Sequence, residues 1–318
     1  GLQFGNYYRL DLFNNERKSI KPKHKLGDSP LRFNWQTPIL ISPHNQDIIY
    51  FGSNKLHRSF NKGDDWEEIS KDLTSGGKKG NVPYGTITSF DESIFQFGKL
   101  IVGSDDGIVS ISNDSGKTWK SLSDNLPPDL WVSRVIFSKH EKNTIYLSLN
   151  GYRYNDFKPY IYVSNDNGDS WENISSNLPL SPVNVIREDI NRKEILYVGT
   201  DNGLFISFNS GKKWHPFESS LNRVAVHDLV IQNEKNDLLV GTHGRSIYKT
   251  NLDLFNDFMI EKNGEKPLII FEINDLRHSN SWGKRSNYSD DVFKSSVKTI
   301  VYSDKSIIYD YTITDNFN

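Results

Sequence analysis

An eight-residue motif that occurs four times constrains this chain more than any other feature. Its fullest form, S-x-D-x-G-x-T-W, occupies residues 112–119, and residues 164–171 fill every key position with Ser in place of Thr. The copies at 59–66 and 207–214 keep Ser, Gly and Trp but carry Asn in place of Asp. The four tryptophans are 53, 52 and 43 residues apart, and periods of that size are typical of a propeller or another repeat array.

The residue types of this motif are those of a tight turn that closes a hairpin. A Ser and an Asp or Asn beside a Gly can bond nearby backbone N–H groups while the Gly adopts positive φ. The Trp then buries its ring between neighbouring sheets. We therefore interpret the motif residues as structural: Ser59, Gly63 and Trp66; Ser112, Asp114, Gly116 and Trp119; Ser164, Asp166, Gly168 and Trp171; Ser207, Gly211 and Trp214.

The composition excludes several classes of protein. The 318 residues carry a formal net charge of −2 with acidic and basic residues interspersed, which gives no footprint for nucleic acid or an anionic membrane. The absence of cysteine excludes a disulfide scaffold and a thiolate metal site. No apolar run approaches the ~20 residues of a membrane span. A metal would need more convergent ligands than these scattered carboxylates and histidines, so we predict no metal and no cofactor.

The four segments that contain the motif follow one plan of four short strands. In the first segment the predicted strands are residues 37–42, 48–52, 56–59 and 66–70, and a fifth segment at 226–249 lacks the Trp hairpin. Four-stranded repeats of this kind predict an all-β fold, a β-propeller. Residues 1–22 are typical of the last strands of a further blade. We therefore expect an incomplete propeller of about five blades plus a remnant, with the missing blades upstream.

The character of the chain changes near residue 250. We predict a propeller over 1–250, a linker over 251–267 and a truncated β-sandwich over 268–318, in which 297–303 and 307–314 form a hairpin. Gly1 is not preceded by a signal peptide or an initiating Met, and we expect both ends to be cut from a longer protein.

Alignment of the inner strands predicts a polar collar at one mouth of the propeller channel. Each aligned residue lies 14 to 17 positions before the small residue that ends the second strand, and one position further on, Arg134 and Asp228 are candidates for a charge pair. The alternative is that these side chains satisfy backbone groups and channel water where strands crowd together. The collar residues are Thr37, Thr86, Ser133, Asn184 and His227.

The third segment carries an insertion, residues 150–159, that is rich in aromatic side chains. Exposed rings beside Arg and Asp suit a platform for a sugar or a peptide, although they can equally cover the edge of the blade. Trp35 and Trp131, just ahead of inner strands, either add rings at this mouth or pack between blades. The candidate ligand-binding residues are Tyr152, Arg153, Tyr154, Phe157, Trp35, Arg134, Asn184 and His227.

Three acidic residues are catalytic candidates: Glu188, Asp189 and Asp228. A glycosidase needs two carboxyls about 5 Å or 6.5–9.5 Å apart. Glu188 and Asp189 sit where a turn should begin, so we interpret them as solvated. His227 and Asp228 are adjacent on one strand and should face opposite sides, because strand side chains alternate. We expect His243, beside a Gly, to shape a tight turn.

The four hairpins resemble the Asp-box, or BNR, repeat of sialidases, sortilin-type receptors and tandem-propeller xyloglucanases. Further stretches are similar to large exported bacterial proteins with a sortilin-like N-terminal propeller, often labelled BNR-repeat glycosyl hydrolases: residues 32–40, 151–160, 183–189 and 241–245. The resemblance covers about residues 1–250 and implies a propeller, export and polymeric ligands. The arginine triad and Tyr/Glu pair of a sialidase cannot be assembled from this sequence.

Three functional hypotheses follow. The first is a non-catalytic propeller that binds a glycan or protein ligand at one mouth, which predicts that the aromatic loop and the polar collar share a face. The second is a glycoside hydrolase, xyloglucanase-like or sialidase-like, with part of its site in missing blades. The third is an architectural spacer with a plugged channel.

Overall fold

A computed structural model describes residues 1–253 except 81, 218–220 and 222, together with 268–270, 280, 284 and 301–303. The chain divides into two compact units. The first comprises residues 1–233 and 238–249, and the second comprises 234–237 and 250–318. The repeats and all the candidate site residues belong to the first unit.

The first unit consists of small antiparallel sheets whose strands follow one another in chain order. A two-stranded sheet, β1 (Tyr8–Leu10) and β2 (Arg17–Ser19), is followed by four sheets of four strands and one sheet of three. Five blades arranged in a ring form a β-propeller, which confirms the predicted fold. Blade 1 is β3 (Ile39–Ile41), β4 (Ile49–Gly52), β5 (Leu56–Ser59) and β6 (Glu67–Glu68); blade 2 is β7 (Ile87–Glu92), β8 (Leu100–Ser104), β9 (Val109–Ser112) and β10 (Lys120–Ser121); blade 3 is β11 (Trp131–Phe137), β12 (Ile145–Asn150), β13 (Tyr160–Ser164) and β14 (Glu172–Asn173); blade 4 is β15 (Val183–Glu188), β16 (Leu196–Thr200), β17 (Gly203–Ser207) and β18 (His215–Pro216); blade 5 is β19 (Val226–Gln232), β20 (Asp237–Thr242) and β21 (Ile247–Asn251).

Each blade buries its apolar face against the next blade. One cluster joins Tyr50 and Leu56 of blade 1 to Ile87 and Leu100 of blade 2, and clusters of the same kind join blades 2 and 3 and blades 3 and 4. Small residues at the ends of the second strands permit this approach. A Cβ at Gly103, for example, would lie 2.2 Å from a methyl carbon of Val132 in the next blade.

The hairpin motif forms the predicted turn in all four copies. In the second copy, Gly116 donates its N–H to Ser112 Oγ over 2.9 Å and has a φ of +88°. Thr118 donates its hydroxyl and its N–H to the carboxylate of Asp114 over 2.6 and 2.9 Å. These hydrogen bonds, the hydroxyl bond first, lower the pKa of Asp114 to about 2, so Asp114 is ionised in this turn at neutral pH.

The tryptophan of the motif ties its hairpin to the preceding blade. Trp66 is the exception, because its Nε1 is buried without an acceptor among the described residues and its ring packs edge-on against Phe51 at 5.5 Å. The other three donate their indole N–H to a carbonyl one blade back: Trp119 to Ile69 over 3.0 Å, Trp171 to Leu122 over 3.2 Å and Trp214 to Ile174 over 2.7 Å.

The second unit contributes two described strands, β22 (Leu268–Ile270) and β23 (Val301–Ser303). They pair antiparallel with each other, whereas the sequence predicted a hairpin of 297–303 with 307–314. Residues 307–314 lie outside the described residues. The linker and the β-sandwich remain predictions.

Replacing Gly116 with Ala tests the contact between the hairpin turn and the preceding blade. A Cβ at Gly116 would lie 2.5 Å from the carbonyl oxygen of Ile69, so overpacking adds about 1–3 kcal/mol to the cost of positive φ. Gly27→Ala is the matched control, because Gly27 has a φ of +94° and a Cβ there would meet no atom within 4 Å. Urea denaturation of both variants should show a clearly larger loss for Gly116→Ala. Equal losses would contradict an inter-blade role for the turn.

Candidate functional site

The inner strands of blades 2, 3 and 4 share an irregularity at one position. Each carries a β-bulge near its start, at Thr88, Ser133 and Asn184. The extra residue lets side chains three positions apart, such as Val132 and Val135, both enter the core between blades. The bulge residue is left at the edge of the central cavity.

The bulge side chains form the polar collar and bond backbone carbonyls. Thr88 Oγ1 donates to the carbonyl of Val132 over 2.7 Å, and Asn184 Nδ2 donates to the carbonyl of Val226 over 3.2 Å. Both acceptors lie on the inner strand of the next blade. The interpretation that these groups satisfy the backbone is therefore correct for these positions.

The predicted collar member in blade 2 is wrong. Thr86 is buried and donates its hydroxyl to Asp105 over 2.7 Å, whereas Thr88 lines the cavity. Thr88 lies 15 residues before Gly103, the spacing that Ser133 and Asn184 have from their own small residues, Ser148 and Gly199. Choosing in each blade the residue 15 positions before the small residue would have identified Thr88 from the sequence.

A cavity of about 1110 Å³ is lined by residues from the inner strands of all five blades. Ser133 and Asn184 of the collar line it together with Tyr152 and Arg153 of the aromatic insertion. The collar and the insertion therefore meet at one mouth, as the binding hypothesis predicted.

A charged cluster from three blades stands on the wall of this cavity. Arg134 Nη2 lies 2.7 Å from Asp228 Oδ1, which confirms the predicted pair, and Arg187 Nη2 lies 3.3 Å from the same oxygen. Arg187 also donates Nε–H to the carbonyl of Leu229 over 2.8 Å. Burial, and then repulsion by Arg134, lower the pKa of Arg187 to about 9, so it stays cationic at neutral pH. Two guanidinium groups thus share one carboxylate.

His227 and Asp228 do not face opposite sides, so the prediction from strict alternation is wrong. Both line the cavity, between the fully buried Val226 and Leu229. Buried side chains three positions apart also occur at the bulges of blades 2 to 4. The rings of His227 and His243 lie 5.1 Å apart, and burial, followed by His243, lowers the pKa of His227. His227 is therefore neutral at pH 7.

The aromatic insertion is a short, anchored platform. Residues Tyr152–Tyr154 form one 3₁₀ turn, and Tyr160 donates its hydroxyl to Asp156 over 2.6 Å. Tyr152 and Phe157 are 60% and 46% exposed, with ring centroids 6.0 Å apart. Both rings are therefore open to solvent.

The two predicted tryptophans have different environments. Trp35 is 52% exposed and packs edge-on against Phe4 at 5.2 Å, and it is not among the residues that line the cavity. Trp131 is partly buried on the cavity wall, and the guanidinium of Arg153 lies over its ring at 4.0 Å. Trp131 therefore belongs to the mouth.

The interpretation of Glu188 and Asp189 as solvated is wrong, because both are buried. Glu188 accepts hydrogen bonds from Ser138 Oγ, Lys139 N and Tyr146 OH at 2.5–3.1 Å. Asp189 accepts from Tyr197 OH over 2.7 Å and from backbone N–H groups at its own turn. Glu188 therefore joins blade 4 to blade 3, and Asp189 stabilises a turn within blade 4.

The role of Glu188 repeats in an earlier blade. Glu92 accepts from Ser42 Oγ and Tyr50 OH of blade 1 over 2.5 and 2.8 Å. In both cases the Ser precedes the Glu by 50 residues and the Tyr precedes it by 42. Sequence reasoning missed this repeated triad, which its spacing could have revealed.

Neither a metal site nor a membrane-spanning helix is found in the part of the chain that the structure describes. No three His, Cys, Asp or Glu side chains converge there. No helix among these residues is long and apolar enough to cross a membrane.

The fold and the motif together define an Asp-box β-propeller. The family model Sortilin-Vps10, described as sortilin, neurotensin receptor 3, matches residues 159–317. This match covers half of the chain, and the chain belongs to the Sortilin-Vps10 family. No curated protein matches it significantly.

Solved propellers share the fold at low sequence identity. The GH74 xyloglucanase from Xanthomonas campestris has a TM-score of 0.54 at 14% identity, covering 68% of this chain and 36% of that one. YCF48 from Cyanidioschyzon merolae has a TM-score of 0.54 at 12% identity, covering 74% of each chain. YCF48 bound to D1 peptide has a TM-score of 0.52 at 12% identity, covering 75% and 70%. The chain spans about a third of the xyloglucanase, and these likenesses show the fold alone.

Replacing Glu188 with Gln tests its role as a buried structural group. Burial raises the pKa of Glu188 above its ordinary 4.5, so its contribution to stability is fully present below pH 4.5 and is lost as the pH rises through the folded-state pKa. The Gln variant has no carboxyl at this position and lacks this loss. The difference in free energy of unfolding, variant minus wild type, should therefore become more positive as the pH rises from about 4 to about 8, as measured by urea denaturation.

Glu141→Gln is the control with the opposite sign. The hydrogen bond from Lys193 lowers the pKa of the exposed Glu141, so the wild-type residue stabilises more as the pH rises above the folded-state pKa. A Glu188→Gln difference that does not depend on pH would contradict the assignment.

Proposed function

We propose that this propeller is a non-catalytic binding domain that recognises a glycan or protein ligand at one mouth. The observation that carries this proposal is the exposed ring of Tyr152, with the exposed ring of Phe157 beside it, at the polar wall of one large cavity. Flat apolar faces beside a few placed polar groups are the usual composition of a ligand site. The spacer hypothesis, by contrast, expected a plugged channel.

Three acids of the cavity form hydrogen bonds or ion pairs within the protein, which suits binding more than hydrolysis. Glu188 receives its hydrogen bonds from blade 3, and Asp228 is held by Arg134 and Arg187. Asp91 is buried and accepts from the N–H of Phe137 over 3.0 Å. A glycosidase acid must be able to give its proton to the leaving oxygen, and each of these three carboxyls is already bonded to a neighbouring blade.

Export is part of the same proposal. It is supported by the resemblance of the repeats to those of large exported bacterial proteins, and it agrees with a ligand that is a polymer or another protein.

Tyr152→Ala and Phe157→Ala should each weaken binding of the ligand. Loss of a stacked ring costs about 0.5–1.5 kcal/mol beyond its buried area, so we expect about a tenfold or larger increase in Kd. Retention on immobilised polysaccharides and proteins, followed by titration of the ligand that is retained, provides the measurement. Phe95→Ala is the matched control, since Phe95 is 44% exposed in the β7–β8 turn at the opposite end of its blade. Equal effects of all three variants would refute binding at the mouth.

Hydrolysis assays test the alternative function. We expect the protein to release no reducing ends from xyloglucan or other polysaccharides and no sialic acid from sialosides. Asp228→Ala and Glu188→Ala are assayed beside the wild type. Turnover by the wild type that disappears in either variant would overturn the non-catalytic proposal and make that carboxylate the first catalytic candidate.

A further inference from the structure

The rim of the cavity carries an arginine whose hydrogen-bond donors are unused within the described chain. The guanidinium carbon of Arg153 lies 4.0 Å from the centroid of the Trp131 ring, and among the described residues no carboxylate pairs with it. A guanidinium over an aromatic face uses its flat surface for that contact and keeps the N–H groups at its edge for a ligand. Its fork of donors matches a carboxylate or sulfate.

Two other arginines over aromatic rings show what sets Arg153 apart. Arg58 lies over Phe60 at 4.7 Å but is neutralised by Glu67, 2.9 Å away. Arg17 lies over Tyr8 at 3.6 Å, on the β1–β2 hairpin. Among these three, Arg153 is the arginine that lines the cavity.

The neighbours of Arg153 are aromatic faces on an open rim. Tyr152, Tyr154 and Phe157 are 60%, 53% and 46% exposed. Rings that are about half exposed offer flat faces to a ligand, but they do not form a closed pocket around a side chain of a peptide ligand. Such surfaces suit the flat C–H face of a sugar ring better than the side chain of a peptide.

A second cationic group lies further along the same wall. Arg134 follows Trp131 by three positions on β11, and its Nε–H has no acceptor in the described residues although Nη2 bonds Asp228. Arg134 and Arg187 share that single carboxylate. This cluster therefore carries a net positive charge beyond the rim, while the other acids of the cavity, Asp91, Glu188 and Asp201, accept hydrogen bonds within the protein. A second cationic group on the same wall suits a ligand with repeated negative charges.

We propose that this mouth binds an acidic polysaccharide. The carboxylate or sulfate of one sugar bonds the guanidinium of Arg153, and the ring of that sugar or the next one stacks on Tyr152 or Phe157. This inference rests on the proposed binding function and names its ligand class.

Calorimetry on the full chain with five defined polymers tests the proposal. The probes are polygalacturonate, its fully methyl-esterified form, dextran sulfate, dextran and polyglutamate. We expect polygalacturonate or dextran sulfate, or both, to bind at least about tenfold more tightly than the neutral partner, since a charge-assisted hydrogen bond contributes that much. The carboxylate and sulfate arms identify which acid is preferred.

Variants of Arg153 assign the charge. Arg153→Gln should weaken binding of the acidic polymer about tenfold and leave binding of the neutral one unchanged. Arg153→Lys keeps the charge without the fork and should fall between them. Arg17→Gln, the same change at a stacked arginine away from the cavity, should have no effect. Unfolding midpoints equal to that of the wild type show that each variant is folded.

The other outcomes separate the two proposals. Binding of neutral polymers that Tyr152→Ala abolishes and Arg153→Gln does not would overturn the acidic ligand and leave the binding function standing. Polyglutamate bound as tightly as the acidic polysaccharides would replace the ligand class with an acidic polypeptide. If neither these polymers nor the panel of immobilised polysaccharides and proteins is retained, both proposals fail.

Discussion

The packing of each blade against its neighbour is the interaction on which the rest of this propeller depends. A sheet of four short strands cannot bury both of its faces alone, and the large clusters of the core each draw on two consecutive blades. The Asp-box turn serves this packing directly. In three of the four copies its Gly admits the residue that follows the fourth strand of the preceding blade, and its Trp donates to the carbonyl of that residue.

The strongest periodic signals of the sequence predicted the fold, because one turn requires particular residue types. Ser, Asp or Asn, Gly and Trp at fixed spacing permit few backbone conformations, and the structure has the one expected. The fourth strands are shorter than predicted, two residues each. In three of the four copies the Trp that ends the hairpin is held by the preceding blade, so a long ladder is not needed there.

The site was predicted less completely, because a β-bulge breaks the alternation on which strand reasoning depends. One inserted residue moves the collar of blade 2 from Thr86 to Thr88. In blade 5 the same spacing of three residues between buried side chains, Val226 and Leu229, brings His227 and Asp228 to one cavity. The pair of Arg134 and Asp228 was predicted because the inner strands were aligned on the small residue that ends the second strand. That reference point does not depend on where each inner strand is taken to begin. The burial of Glu188 was missed because its partners lie 42 and 50 residues away, in another blade.

The buried carboxyls have a consequence for the mechanics of the ring. Glu92 joins blade 2 to blade 1, Asp91 joins it to blade 3, and Glu188 joins blade 4 to blade 3. In the described residues, blade 5 has no carboxyl of this kind and is joined to blade 4 by Asn184 and Arg187, which reach its backbone. The wall that carries His227 and Asp228 is also held by the ion pairs of Asp228 with Arg134 and Arg187, which lie at the cavity surface. Blades 1 to 4 are thus joined by carboxyls shielded from solvent, whereas blade 5 is joined by charged groups that line the cavity, where a ligand can contact the same groups that hold the blades together.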